Sequence, residues 1–205
     1  ARELLNIKLH VIIRPRGGDF LYSELEHRIM LKDIEIAREL GVDGVVIGCL
    51  TADGEVDVPR NKALIKAAGN MSVTFHRAFD MCRDPFESLE KIILLGCDRI
   101  LTSGQEPKAE QGIPLLNKLV EKAGKRIIIM PGSGINTGNI AAIAQGTGAK
   151  EFHLSARAPV ESGMVYRNPR VKMGGEPIVI NEYEQMVTQA ELVKNTLRAL
   201  EQKNP

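Results

Sequence analysis

The chain has 205 residues, 43% of them hydrophobic and 26% charged, with a formal net charge of +1. That length supports one sizeable core and is short for two average domains. The near-neutral balance, with Lys and Arg scattered among Asp and Glu, excludes a global basic field for nucleic acid or an acidic membrane surface.

No apolar run approaches the roughly 20 residues of a membrane span. Three cysteines without a close pair argue against a disulfide framework and for a reducing, cytoplasmic setting. No signal peptide is visible, and the start reads as truncated.

In chain order, the first expected strand runs from Leu9 to Ile13. Ser23 with Glu26 gives a capping box that opens an amphipathic helix. Gly41 ends that helix, and an apolar strand follows from Gly44 to Gly48. The same unit returns with Gly69 before a strand from Ser72 to His76, and with Gly96 before one from Asp98 to Thr102. Gly124 precedes Arg126 to Met130, and Gly148 precedes Lys150 to Leu154. The glycines recur about every 25 to 28 residues, the length of one βα unit. Asp84, Pro85 and Glu87 mark a helix start, and Phe86, Leu89, Ile92 and Ile93 form its apolar stripe. Ala156 to Ile180 is the longest stretch without periodicity. A last helix is expected over about Glu182 to Gln202, with Tyr183, Met186, Val187, Ala190, Val193, Leu197 and Leu200 at helical spacing. Six βα units in one domain, 1–205, give an α/β fold, and the alternation alone suits an open doubly wound sheet and a barrel equally.

The loop motifs decide between them. They are I-I-R-P-R-G-G-D-F (Ile12 to Phe20), T-F-H-R-A-F-D (Thr74 to Asp80), I-L-T-S-G-Q (Ile100 to Gln105), M-P-G-S-G-I (Met130 to Ile135), E-F-H-L-S-A-R (Glu151 to Arg157) and S-G-M-V-Y-R-N (Ser162 to Asn168). In this order and spacing, from about His10 to its end, the chain resembles the CutC family, which is named for copper homeostasis. The resemblance implies a TIM (βα)8-type barrel, of which six units are visible here, with two further βα units expected ahead of this start. It also implies copper as the cofactor or cargo.

Active sites of such barrels lie at the carboxyl ends of the strands, where every motif falls. Arg14, Arg16, Arg77 and Arg157 offer rigid bidentate donors for carboxylate or phosphate. The Gly132-Ser133-Gly134 loop leads toward a helix near Asn136, and its backbone N–H groups would favour an anion. His76, Asp80 and His153 are the candidate acid–base groups. Cu(I) prefers soft ligands, and the metal candidates are Cys49 and Cys82, with Met81 and His76 nearby in sequence. No C-x-x-C or C-x-C spacing exists.

Each residue also has a purely structural reading. Arg14 and Arg16 could pair with Asp19 or Asp80, the Gly-Ser-Gly segment could be a tight turn, the histidines could make structural hydrogen bonds, and each cysteine could be a buried inert thiol. Three functions stay open: cytoplasmic copper handling, an enzyme acting on a small anionic metabolite, and a non-catalytic binding module. The expected assembly is a homo-oligomer, a dimer or tetramer, with no nucleic-acid or membrane partner.

Strand alternation makes a last expectation. Val73, Phe75, Phe152 and Leu154 should face the helices. His10, Ile12, Arg14, Thr74, His76, Glu151, His153 and Ser155 should face the barrel axis. Glu151 should meet a basic or hydrogen-bonding partner there, Arg14 or His10.

Overall fold

Short Val- and Ile-rich runs, each released from a helix by a glycine, set the architecture. The computed structural model describes residues 1–4, 6–171 and 181–201. All five repeat glycines, Gly41, Gly69, Gly96, Gly124 and Gly148, take positive φ, a conformation glycine adopts without steric cost. The strands that follow build one sheet: β1 (His10–Ile12), β2 (Gly44–Ile47), β3 (Ser72–Phe75), β4 (Arg99–Thr102) and β5 (Ile128–Pro131). They pair parallel in the order β1-β2-β3-β4-β5, with His10 opposite Gly44 and Ile47 opposite Phe75. Between them run α1 (Glu24–Glu39), α2 (Val58–Ala68), α3 (Pro85–Leu95) and α4 (Ile113–Ala123), and α5 (Ile140–Thr147) follows β5.

The expected helix starts are present as hydrogen bonds. Ser23 Oγ accepts from Glu26 N–H while Glu26 accepts from Ser23 N–H, the reciprocal box. Asp84 accepts from both Phe86 N–H and Glu87 N–H, and Gly96 closes that helix in the left-handed region. The helix-facing side of the sheet is the core. Val45, Ile47, Val73, Phe75, Ile100 and Ile129 are buried against Met30, Ile34, Leu64, Leu89, Ile92, Leu116 and Leu119, each such side chain contributing about 1.5–3 kcal/mol on burial. The expected outward set Val73 and Phe75 is therefore in place.

Two expectations are corrected. The sixth strand, Lys150 to Leu154, is reduced to a single parallel bridge between His153 and Gly132. The N–H groups of Ile128 and Gly132 point to β4, donating to Asp98 O and Thr102 O. Position 131 should then donate to the sixth strand, but it is proline and has no N–H. Only its carbonyl takes part, accepting from His153 N–H at 2.9 Å. The last helix is also shorter than expected. Glu184–Thr188 is a strand, β7, antiparallel to β6 (Arg157–Glu161), and α6 begins at Ala190 and runs to Glu201. Tyr183, Met186 and Val187 match a helical spacing, but a distant strand partner leaves no mark on local periodicity. The same partner places a strand inside the stretch expected to be loop, of which 172–180 lie outside the described residues, as does Gln202.

The contacts divide the chain into two compact units. The first holds Ala1–Ile135 and Ala142–His153, and the second holds Asn136–Ala141 and Leu154–Pro205. The second carries the β6–β7 ribbon and α6, where Thr196 Oγ1 donates to Leu192 O and lies 2.9 Å from Thr137 Oγ1. Among the described residues no helix is long and apolar enough to cross a membrane.

Candidate functional site

The site begins with strand register. Beyond the last pairs of β1–β3, Ile13 N–H still donates to Val46 O and His76 N–H to Ile47 O. Arg14, Gly48 and His76 thus occupy adjacent places at the carboxyl ends of three neighbouring strands. His76 is 3% exposed. Its Nδ1 accepts from Ala78 N–H at 3.2 Å, which assigns the proton to Nε2. Burial, reinforced by the Arg14 charge, lowers its pKa to about 4, so the ring is neutral at pH 7. Nε2–H is buried and has no partner among the described residues.

Arg14 reaches the same place. One guanidinium nitrogen donates to Gly18 O at 2.7 Å, and the group sits 4.6 Å from the Phe20 ring centroid, a cation–π contact. Phe20 in turn lies 5.0 Å from the His76 ring. Among the described residues Arg14 Nε is buried without a well-formed hydrogen bond, and so is the hydroxyl of Tyr22, a residue 2% exposed. Burial pushes the Tyr22 phenol up and nearby Cys49 adds to this, while Arg14, through its charge and a side-chain hydrogen bond too loose to be well formed, and Arg16 oppose it. Three buried groups, Arg14 Nε, His76 Nε2 and Tyr22 Oη, therefore border Phe20 or Arg14 without a well-formed hydrogen bond among the described residues, a condition that native interiors rarely tolerate. Phe20 closes a motif legible in the sequence, but its role, and that of Tyr22, was missed there. The signal was present only as their nearness to Arg14 in the chain.

Other expected anion ligands are engaged in holding loops. Arg16 donates to Glu26 (2.6 Å), Asp19 (2.9 Å) and Leu21 O (2.8 Å) and lies over the Tyr22 ring. Glu26 thus serves the capping box with one oxygen and Arg16 with the other. Arg77 bonds Asp80 (2.6 Å) and Ser103 Oγ (2.8 Å). Asp80, the expected acid–base group, accepts from Thr102 Oγ1, Ser103 N–H and Oγ–H, Gln105 N–H and Arg77. Its oxygens organise the loop after β4. The Gly132-Ser133-Gly134 segment is a turn with Ser133 at φ 84° and Gly134 at φ 73°. Ser133 Oγ donates to Pro107 O (2.8 Å) and its carbonyl accepts from Ala109 N–H. The helix expected near Asn136 starts at Ile140 instead, because the Asn136 side chain turns back to accept from Gly138 N–H. His153 packs its Cβ against Gly132 and is solvent-exposed. Arg157 belongs to β6 in the second unit.

Glu151 does have a basic partner on the inner face, but it is Arg99 of β4, at 2.6 Å from Nε, and neither Arg14 nor His10. Arg99 also donates to Ser72 Oγ. The inner row is not uniformly covered: Thr74 is buried while Ile12 is 60% exposed.

A Cu(I) site needs deprotonated, accessible soft ligands. Cys49 is fully buried, its peptide clamped on both sides by the Asn61 amide, and burial pushes its thiol up to about 12. Cys82 is buried beside Gln105, and burial raises its thiol as well. Among the described residues no group of three or more His, Cys, Asp or Glu is arranged to hold a metal ion. This donor set does not fit a closed copper site. A cavity of about 590 Å³ lies at the opposite, amino end of β4 and β5, lined by Cys97, Arg99, Lys125 and Lys150 among others. It holds none of the expected site residues.

The sequence model of the CutC family matches residues 1–158. A family protein CutC of Bacteroides thetaiotaomicron is 60% identical over 201 residues, covering 98% of this chain and 80% of that protein. One from Parabacteroides distasonis is 60% identical over 188 residues, covering 92% and 77%. Among solved structures, a Streptococcus agalactiae protein described as a copper homeostasis protein CutC superposes with a TM-score of 0.69 at 39% identity, over 72% of each chain. An aldolase superposes at 0.55 with 16% identity, over 72% of this chain and 68% of its own, a likeness of fold alone. These neighbours give the parallel sheet and its helices a TIM-barrel-type α/β fold.

Proposed function

The chain belongs to the CutC family, and we propose that it binds a small carboxylate- or phosphate-bearing metabolite at the carboxyl ends of β1 and β3. The observation that carries this reading is the set of buried groups without a well-formed hydrogen bond among the described residues, Arg14 Nε, His76 Nε2 and Tyr22 Oη. Arginine and neutral imidazole N–H groups can only donate here, so the complementary species is an acceptor, and the fixed positive charge of Arg14 favours an anion. His76, neutral and fixed in one tautomer, would donate a hydrogen bond from Nε2 to a bound oxygen and keep its proton. A thermal-shift screen with phosphate, phosphate esters and small carboxylates tests the reading, since a ligand of the native state raises Tm by mass action. A rise for anions that disappears in Arg14→Gln supports it, and a flat response to every anion overturns it.

A second reading is cytoplasmic copper handling, favoured in its copper part by the S. agalactiae relative's description. On that reading Cys49 and Cys82 would supply the thiolates, against the burial that keeps both protonated. Titration with Cu(I) against a chelator of known affinity separates the two: stoichiometric retention lost in Cys49→Ser would support copper.

A further inference from the structure

Beside the donor cluster, the loops after β1 and β2 and Met81, the last residue of the 3-10 turn Arg77–Met81, line an open cavity of about 410 Å³. Its walls include Phe20, Leu21, Leu50, Ala52 and Met81. That volume is within the range of small-molecule sites, which are mainly apolar with a few placed polar groups. Two links join cavity and donors. Phe20 is a wall of the cavity and its ring also touches the Arg14 guanidinium and the His76 imidazole. Gly18 lines the cavity and its carbonyl holds Arg14. The walls are pinned to each other, because Leu50 N–H donates to Phe20 O at 2.9 Å.

We infer that the ligand is an amphipathic anion: its carboxylate or phosphate meets Arg14, His76 and Tyr22, and an apolar body fills the cavity past Phe20. This inference rests on the anion reading above and adds the chemical class of the ligand. Leu21 is 47% and Met81 68% exposed. An apolar body laid against them removes that surface from water, whereas a bare inorganic anion leaves it wet. Phe20 divides the two halves of the site, so the position of one ring sets the separation between the ligand's charge and its apolar part.

The test is calorimetric titration with two series, acetate, butyrate and hexanoate, and methyl, butyl and phenyl phosphate, with hexanol as the neutral control. Affinity should tighten about fourfold for each methylene buried, and the better series identifies the head group. Ala52→Trp, at an exposed wall position whose folding is checked by its melting curve, should erase the dependence on chain length and keep the binding of the shortest anion. Equal affinity along each series overturns the amphipathic class and leaves the anion reading standing. Hexanol binding as tightly as hexanoate also overturns it, because the cavity would then work without the donors. No binding of any anion overturns the anion reading, and this inference with it.

Discussion

The backbone of Gly48 runs so close to the His76 imidazole that a Cβ on residue 48 would lie 2.6 Å from both Cε1 and Nδ1 of the ring. The same arrangement occurs one layer down, where a Cβ on Gly44 would meet His10 Cε1 at 2.5 Å. In each case a glycine on β2 or at its end leaves room for a histidine of a neighbouring strand to lie over the sheet. Neither glycine has positive φ, so their need is for space and not for backbone freedom. Gly48→Ala should therefore displace His76, with a stability loss of about 1–3 kcal/mol from overpacking. Denaturant unfolding gives the cost, and anion affinity should fall in the same variant. Gly17→Ala is the control, since nothing lies within 4 Å of a Cβ there.

Burial of neutral His76 makes stability depend on pH. Its folded pKa is near 4, below the unfolded value of about 6.5. Between those values the unfolded chain binds the proton that the native state refuses, so stability falls as pH drops from about 6.5 to about 4. The full loss is about 3 kcal/mol. Urea denaturation of the wild type and of His76→Asn at pH 7 and pH 4.5 checks this. Asn keeps an acceptor for Ala78 N–H and does not titrate, so its stability should change less over that range. Equal slopes in both proteins would show that another group dominates.

Arg14 and Arg16 are two residues apart and should behave differently. Arg16 links the β1 loop to the capping box through Glu26, but its side chain and those of Asp19 and Glu26 keep access to solvent. Arg16→Ala should lower the melting temperature measurably, since the ion pairs and loop carbonyls it holds are lost, and alter anion affinity little. Arg14→Gln should do the reverse, with near-normal melting and at least a tenfold loss of anion affinity. Paired melting curves and titrations decide, and an equal effect of the two substitutions on binding would remove the distinction.

The sequence made the five strands of the parallel sheet, the helix caps and the end of the sheet that carries the site legible, because each has a local cause. A capping box needs Ser23 and Glu26 alone, and a glycine after a helix needs only itself. It also placed Glu151 on the inner face correctly, through strand alternation. The partner was not legible, because Arg99 is 52 positions away and residue type does not say which inner-face side chains meet across strands. For the same reason the sequence overvalued Arg16 and Arg77. Residue type shows that an arginine can bind an anion, but Glu26, Asp80 and the loop carbonyls that already occupy it come from elsewhere in the chain. Tyr22 and Phe20 went unrecognised because a buried hydroxyl without a partner, or a ring shared between a cavity and a cation, is a property of packing.

The Glu151–Arg99 pair gives a more modest expectation than full burial would. The Arg99 and Glu151 side chains are 24% and 38% exposed, so solvent screens the attraction. Glu151→Ala should cost about 1 kcal/mol, and a double-mutant cycle with Arg99→Ala should give a coupling of the same order. A coupling indistinguishable from zero in low salt would mean that the pair only fills space.

Asp80 supplies the last prediction. Its side chain is 6% exposed and its oxygens accept from Thr102, Ser103, Gln105 and Arg77. With those acceptor positions filled by donors from its own chain, the carboxylate has little capacity to take a substrate proton. Its work is to hold the β4 loop, where Gln105 sits at a strained φ of 58°. Asp80→Ala would leave buried donors unpaired and should cost about 3 kcal/mol. Asp80→Asn keeps the shape but turns an amide N–H₂ toward those donors, so it should rescue only part of the loss. If Asp80 is a positioning residue, anion affinity measured well below the melting temperature should stay within about twofold of wild type in Asp80→Asn, a margin small on the scale where about 1.4 kcal/mol is tenfold. A loss of binding in Asp80→Asn at unchanged melting temperature would instead put the carboxylate in contact with the ligand and return it to the chemical role its sequence motif suggests.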